Sequence, residues 1–179
     1  IKDCLVGARI YDGKAIKWIS KNQCRFNYRE SIFKIKKNWI IIEAEFKFES
    51  GNSKNLINKA KEIIKLREKK YWPDLLCTGS FFKNIIVKNI KQTMLRKKLL
   101  KKISKDKIMF GKIPTGYILE VVGAKEMKCG GIMVAKHHGN LIYNSGLGTT
   151  SEILKLSKML KIKVKIRFGL NLEEEIQYV

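Results

Sequence analysis

The sequence predicts an α+β fold laid out in two successive regions, and three observations predict it. Short β-type runs dominate residues 1 to 48, one helical pattern occupies the stretch after them, and from about residue 75 strands and helices mix to the C-terminus.

Taken in order, Leu5 to Tyr11 and Ala15 to Ile19 flank Asp12-Gly13, a turn signal that lets them pair as a hairpin. Trp39 to Phe48 is the clearest strand. Ile40, Ile42, Ala44, Phe46 and Phe48 alternate with Ile41, Glu43, Glu45 and Lys47, which predicts one apolar face. Between these runs, Asn22 to Lys37 has weak periodicity and reads as a loop or short helical turn carrying Tyr28 and Arg29. Glu49-Ser50-Gly51-Asn52 breaks the strand, and Ser53 is the expected cap of a helix in which Leu56, Ile57, Ala60, Ile63 and Ile64 recur at helical spacing. That helix is expected to end near Lys70, before Pro73.

A second unit then starts with the loop at Ser80. Its expected elements are a basic helix at Lys91 to Ser104, a helix at Tyr117 to Val122, and strands at Gly131 to Ala135 and Asn140 to Asn144. A helix at Ser151 to Leu160, capped by Thr150 with Glu152 in its first turn, and a short strand near Glu175 complete it. The boundaries are therefore drawn at 1–48, a connecting helix over 49–74, and 75–179.

With 179 residues, 45% of them hydrophobic, the chain is able to bury a core. It has no run of about 18 apolar residues and no basic-then-apolar leader, so no membrane span is expected. It opens on Ile1-Lys2-Asp3-Cys4-Leu5-Val6, which reads as mid-domain sequence, and the expectation is that an N-terminal part precedes it. Cys4, Cys24, Cys77 and Cys129 are widely spaced and accompanied by only two histidines, which argues against a metal site and fits reduced thiols in a cytoplasmic protein. The formal charge of +22 invites a nucleic-acid reading. However, Lys is spread over every segment, and only Leu95 to Lys107 is densely basic, as a solvated helix face usually is. No nucleic-acid partner is expected.

Three polar segments stand apart from this background. Gly79-Ser80-Phe81-Phe82-Lys83-Asn84 sets a hydroxyl, an ammonium and an amide among aromatic residues, where contacts to an anionic ligand gain strength. Tyr28-Arg29-Glu30-Ser31 offers a guanidinium fork suited to carboxylate. Glu173-Glu174-Glu175 is an acidic triplet near the end of a basic chain.

Alone, each is weak: a Gly-Ser loop is usually a turn, and an exposed Arg is usually a surface ion pair. Together they resemble the catalytic set of the UDP-N-acetylenolpyruvoylglucosamine reductase family. Residues 79 to 84 match the family's Gly-Ser-Phe-Phe-Lys-Asn throughout, and Tyr28-Arg29-x-Ser31-x-Phe33-Lys34 matches its Tyr-Arg-x-Ser-x-Phe-Lys segment. Phe168-Gly169-x-x-Leu172-Glu173-x-Glu175-Ile176 resembles its C-terminal pattern, with Glu174 in place of the usual Pro and Gln177 where Arg is common. Arg67-x-x-Lys70, the stretch Lys112 to Glu120, Gly123-x-Lys125, Gly130-Gly131 and His138-x-Asn140-Leu141-Ile142-x-Asn144 follow in the family's order. The stretch between Arg29 and Ser80 is too short for the extra loop of one subgroup.

The resemblance implies an FAD enzyme that uses NADPH to reduce UDP-N-acetylglucosamine enolpyruvate to UDP-N-acetylmuramate for peptidoglycan. It implies Arg29, Ser80 and Glu175 as catalytic residues and Tyr28, Lys70, Lys83, Asn84 and His138 as substrate contacts. Residues 1–48 become the end of a flavin-binding α+β region and 75–179 an α+β substrate-binding domain, in a protein expected to be a monomer. Ser80 donates the proton, while Arg29 and Glu175 polarise the enolpyruvyl carboxylate, Glu175 by hydrogen bonding or as a protonated acid. No Gly-rich loop for the flavin pyrophosphate is present, so the chain alone is expected neither to hold FAD nor to be active. The alternative is a non-catalytic nucleotide-sugar or nucleic-acid binding domain.

Overall fold

The structure is a computed structural model that describes residues 1–69, 71, 74–90, 97, 99, 101 and 103–178. It falls into two compact units, Ile1–Ile63 and Ile64–Val179, and has the mixed α+β content the sequence predicts.

In the first unit, strands β1 (Leu5–Tyr11), β2 (Ile16–Ser20) and β3 (Ile40–Phe46) form an antiparallel sheet in the order β2-β1-β3, with the short helix α1 (Ile32–Ile35) between β2 and β3. The expected hairpin forms because Gly13 takes φ +96 and Asp12 Oδ1 accepts from the Lys14 and Ala15 N–H groups. Gly7 has no such freedom: a Cβ there would lie 2.5 Å from the Trp18 ring and 2.7 Å from Ile19 O, so only glycine lets that ring lie on the sheet. Leu5, Ala8, Ile10, Ile19, Cys24 and Ile32 make the core.

Strand β3 departs from expectation. Its alternation is present, but no residue in it is buried. As an edge strand it pairs with β1 alone among the described strands, and Ile40, Ile41, Ile42 and Phe46 all stay exposed. Helix α2 (Ser53–Glu68), which spans the boundary between the units, likewise buries none of its apolar stripe. Its cap is Asn52, whose Oδ1 accepts from Asn55 N at 3.0 Å, so Ser53 is already its first helical residue.

The second unit holds β4 (Leu76–Ser80), β5 (Ile85–Ile86), β6 (Lys112–Ile113), α3 (Thr115–Val121), β7 (Lys128–Cys129), β8 (Ile132–Val134), β9 (Leu141–Asn144) and α4 (Thr150–Phe168). Its antiparallel sheet has the order β4-β9-β8-β7, and β5-β6 is a separate pair. Leu156, Leu160, Val164 and Phe168 recur every four residues on the buried side of α4. That stripe carries the helix two turns past Leu160, to a left-handed Gly169 at φ +71. The cap of α4 is Thr149 rather than Thr150. Thr149 Oγ1 accepts from Glu152 N and Glu152 Oε2 accepts from Thr149 N, a reciprocal pair that also holds the Glu152 carboxyl below its usual range. Most of the basic helix expected at Lys91 to Ser104 lies outside the described residues, as do Lys70 and Pro73. The strand expected near Glu175 is a single bridge between Phe82 and Glu174.

Candidate active site

Ser80 ends β4. The strand pairs with β9 through Leu76↔Asn144, Cys77↔Tyr143 and Ser80↔Leu141, with an irregularity between Cys77 and Ser80 where Gly79 takes φ +84. No atom would meet a Cβ at Gly79, so glycine is required there by conformation alone. The kink leaves Ser80 half-buried and sends Phe81 and Phe82 into the core, their rings edge to face at 4.9 Å.

Two further strands of chain hold this turn. Asn140, buried at 2% exposure, accepts from Phe82 N with Oδ1 and donates from Nδ2 to Phe82 O, both at 2.8 Å, while its own carbonyl accepts from Phe81 N at 3.0 Å. Asn140 thus stands in for a strand neighbour that Phe82 lacks on that side. On the other side runs the acidic triplet: Lys83 N donates to Glu173 O and Glu175 N donates to Phe81 O, each at 2.8 Å. Half-buried Glu175 is therefore tied through its backbone to the residue that follows Ser80.

The remaining polar residues serve partly structural ends. Lys83 Nζ pairs with Glu173 Oε2 at 3.2 Å, and Lys83 O accepts from Thr115 Oγ1 at 2.5 Å. Asn84 Oδ1 accepts from Thr115 N at 3.1 Å at the start of α3. His138 Nδ1 accepts from Asn140 N at 3.0 Å, and its ring packs where Gly116 has no side chain; a Cβ there would lie 2.7 Å from His138 Cε1. His138 thus braces the Asn140 segment.

Arg29 and Tyr28 belong to the first unit. They form the tip of a tight turn closed by Asn27 N to Glu30 O at 3.0 Å and Glu30 N to Asn27 O at 3.2 Å. Exposed Arg29 sits at φ +55, in the left-handed region that disfavours side chains, with its guanidinium 5.6 Å from the centre of the half-buried Tyr28 ring. A non-glycine residue held in this conformation is what a functional turn often retains.

Glu174 is the residue that sequence reasoning passed over. Its carboxylate accepts from Ser157 Oγ and pairs with Lys161 Nζ at 2.7 Å. Burial pushes this carboxyl up, but hydrogen bonds from Lys161 and Ser157, the Lys161 charge and the Tyr178 hydroxyl together hold it below the usual range. Burial and the facing carboxylate push the Tyr178 phenol up to about 12. The signal for Glu174 was its departure from the Pro of the resembling pattern; that for Asn140 was its place beside His138.

The turn thus carries the Ser80 hydroxyl and the Lys83 ammonium, donors suited to an anion, and the backbone of Glu175 is bonded to Phe81 within it. A flavin pyrophosphate cradle is a different matter. In the first unit Gly7 is filled by Trp18, Gly13 makes the hairpin turn and Gly51 faces Leu56, so none of these glycines opens a backbone N–H cradle between a strand and a helix. The described residues of this unit do not by themselves fit that group.

Comparison with known proteins bears on this geometry. Residues 73–179 match the family model described as UDP-N-acetylenolpyruvoylglucosamine reductase, C-terminal domain. The UDP-N-acetylenolpyruvoylglucosamine reductase of Solibacter usitatus is 41% identical over 179 residues, covering 100% of this chain and 56% of the relative. That of Fervidobacterium nodosum is 31% identical over 170 residues, 93% of this chain and 46% of the relative. The chain thus spans about half the length of the curated relatives it matches. A crystal structure of UDP-N-acetylenolpyruvylglucosamine reductase from Thermus caldophilus shares the fold, with a TM-score of 0.67 at 19% identity, covering 98% of this chain and 53% of that one.

Proposed function

The chain belongs to the UDP-N-acetylenolpyruvoylglucosamine reductase family, and from that premise we propose that the protein carrying it reduces UDP-N-acetylglucosamine enolpyruvate to UDP-N-acetylmuramate, a step in making peptidoglycan precursors in the cytoplasm. FAD, itself reduced by NADPH, supplies the hydride when bound. Residues 1–48 are assigned to the flavin-binding region and 75–179 to the substrate-binding domain.

The observation that carries this reading is the pairing of 173–175 with 81–83, which sets Glu175 against the turn that starts at Ser80. Reduction of the enolpyruvyl double bond needs a proton at the carbon next to the one that takes hydride, and Ser80 Oγ is the group assigned to give it. A serine hydroxyl is a poor acid in water, so the developing alkoxide needs a cation or an ordered water nearby, and Lys83 lies on the same turn. Arg29 is assigned to the substrate carboxylate, on which negative charge builds as hydride arrives, and Glu175 to the same group by hydrogen bonding or as a protonated acid, the form in which a carboxyl can donate to that charge. Tyr28, Lys70, Asn84 and His138 are assigned to binding the rest of the substrate.

The test is NADPH consumption that depends on UDP-N-acetylglucosamine enolpyruvate, with UDP-N-acetylmuramate identified by mass. Flavin reduction that proceeds without any enolpyruvyl product contradicts the proposal.

A further inference from the structure

Glu174 stands opposite Phe82 in the kind of antiparallel pair whose bonds are made by the flanking residues, here Lys83 N to Glu173 O and Glu175 N to Phe81 O. Its own N–H takes no part in that ladder. Leu172, two residues before Glu174, is buried, and Ile176, two residues after it, packs against the core. Glu174 is the charged residue midway between these two anchors. It meets Ser157 Oγ, 1% exposed, and Lys161 Nζ at 2.7 Å, four residues apart on α4, together with the Tyr178 hydroxyl.

An exposed ion pair contributes little, but this carboxylate has several donors, and α4 is anchored in the core by Leu156, Leu160 and Val164. The location gives the contact its meaning. Leu172 and Ile176 anchor the segment on either side, and Glu174 adds a polar tie between them, at the residue whose two neighbours make the backbone bonds to Phe81 and Lys83. We propose that Glu174 is a positioning residue, which ties the 173–175 segment to Ser157 and Lys161 of α4 and so holds Glu175 in its backbone bond to Phe81, the residue that follows Ser80. Its value for the reaction rests on the reading of Ser80 and Glu175 given above; its mechanical role does not.

The test uses the flavin-loaded protein with two substitutions. Glu174→Ala removes the tie. Glu174→Pro also removes it but stiffens the segment at a position whose N–H the ladder does not need. In Glu174→Ala the Glu175 amide should exchange about 10- to 100-fold faster, as expected for losing a charge-assisted tie. Enolpyruvyl reduction should slow by about 10- to 100-fold, the scale of a misplaced reacting group, with flavin reduction by NADPH unchanged. Glu174→Pro should recover most of both losses. Unchanged exchange at Glu175, equal loss of both half-reactions, or a proline variant no better than alanine overturns the proposal. If the unsubstituted protein forms no enolpyruvyl product, the functional reading fails, and exchange at Glu175 in the two variants still decides the mechanical role.

Discussion

Asn140→Ala strikes the support of the Ser80 turn without touching its polar groups. The side chain makes two 2.8 Å hydrogen bonds to the main chain of Phe82, a residue with 0% exposure, so water cannot replace them without opening the core. Each buried main-chain group left unpaired costs about 1–3 kcal/mol, so the pair should cost about 4 kcal/mol in all. The bond from Phe81 N to Asn140 O is main chain to main chain and survives, which keeps the estimate below complete loss of the turn. Urea unfolding followed by tryptophan fluorescence and far-ultraviolet dichroism is the assay. With a slope of about 1–3 kcal/mol per molar, the midpoint should fall by more than about 1 M. A loss below about 0.5 kcal/mol would refute the reasoning, because it would mean that Phe82 finds partners elsewhere and that Asn140 does not hold the turn.

Stability should also respond to pH through the Glu174 cluster, in which Glu174 faces Ser157 and Lys161 of α4 and Tyr178 of the C-terminal segment. The folded state holds Glu174 below its ordinary value of 4.5, so its contribution is present above about that pH and is lost as pH falls through the folded value. Tyr178 is raised from 10.0 to about 12, so its contribution is present below 10 and is lost as pH rises from there to about 12. Glu174→Gln should flatten the acid limb of melting temperature against pH and Tyr178→Phe the alkaline limb; parallel curves would contradict the assignment. Arg29→Gly should leave the first unit as stable as before, or more stable by up to about 1 kcal/mol, because it relieves the φ +55 backbone. The same change should slow enolpyruvyl reduction at least 100-fold, the scale of losing a charge stabiliser; intact turnover would remove Arg29 from the reaction.

Local pattern made some elements legible and left others hidden for definite reasons. Asp12-Gly13 between two β-type runs announced the hairpin because a turn is specified by its own residues. Strand β4 was not foreseen: Cys77-Thr78-Gly79-Ser80 has no alternation, and the segment is a strand only because β9 pairs with it. Alternation in β3 showed which side chains share a face, but it carries no information on whether anything covers that face. Both helix caps fell one residue from expectation, at Asn52 and Thr149, each next to another residue able to cap, so the choice depended on the entering backbone. In α4 the lysines between Leu160 and Phe168 obscured the buried stripe. At the site, motif resemblance drew attention to Ser80 and Glu175. The roles of Asn140 and Glu174 depend on partners 58 and 17 residues away and become visible only in three dimensions.

The central claim is that Ser80 gives the proton in the second half-reaction, and Ser80→Ala in the flavin-loaded protein tests it most directly by stopped-flow measurement of the two half-reactions. Flavin reduction by NADPH should keep its rate, while reoxidation of the reduced flavin by UDP-N-acetylglucosamine enolpyruvate should slow by roughly 10²–10⁴-fold, as loss of a positioned proton donor implies. Equal slowing of both half-reactions, or reoxidation at the unsubstituted rate, would contradict the account.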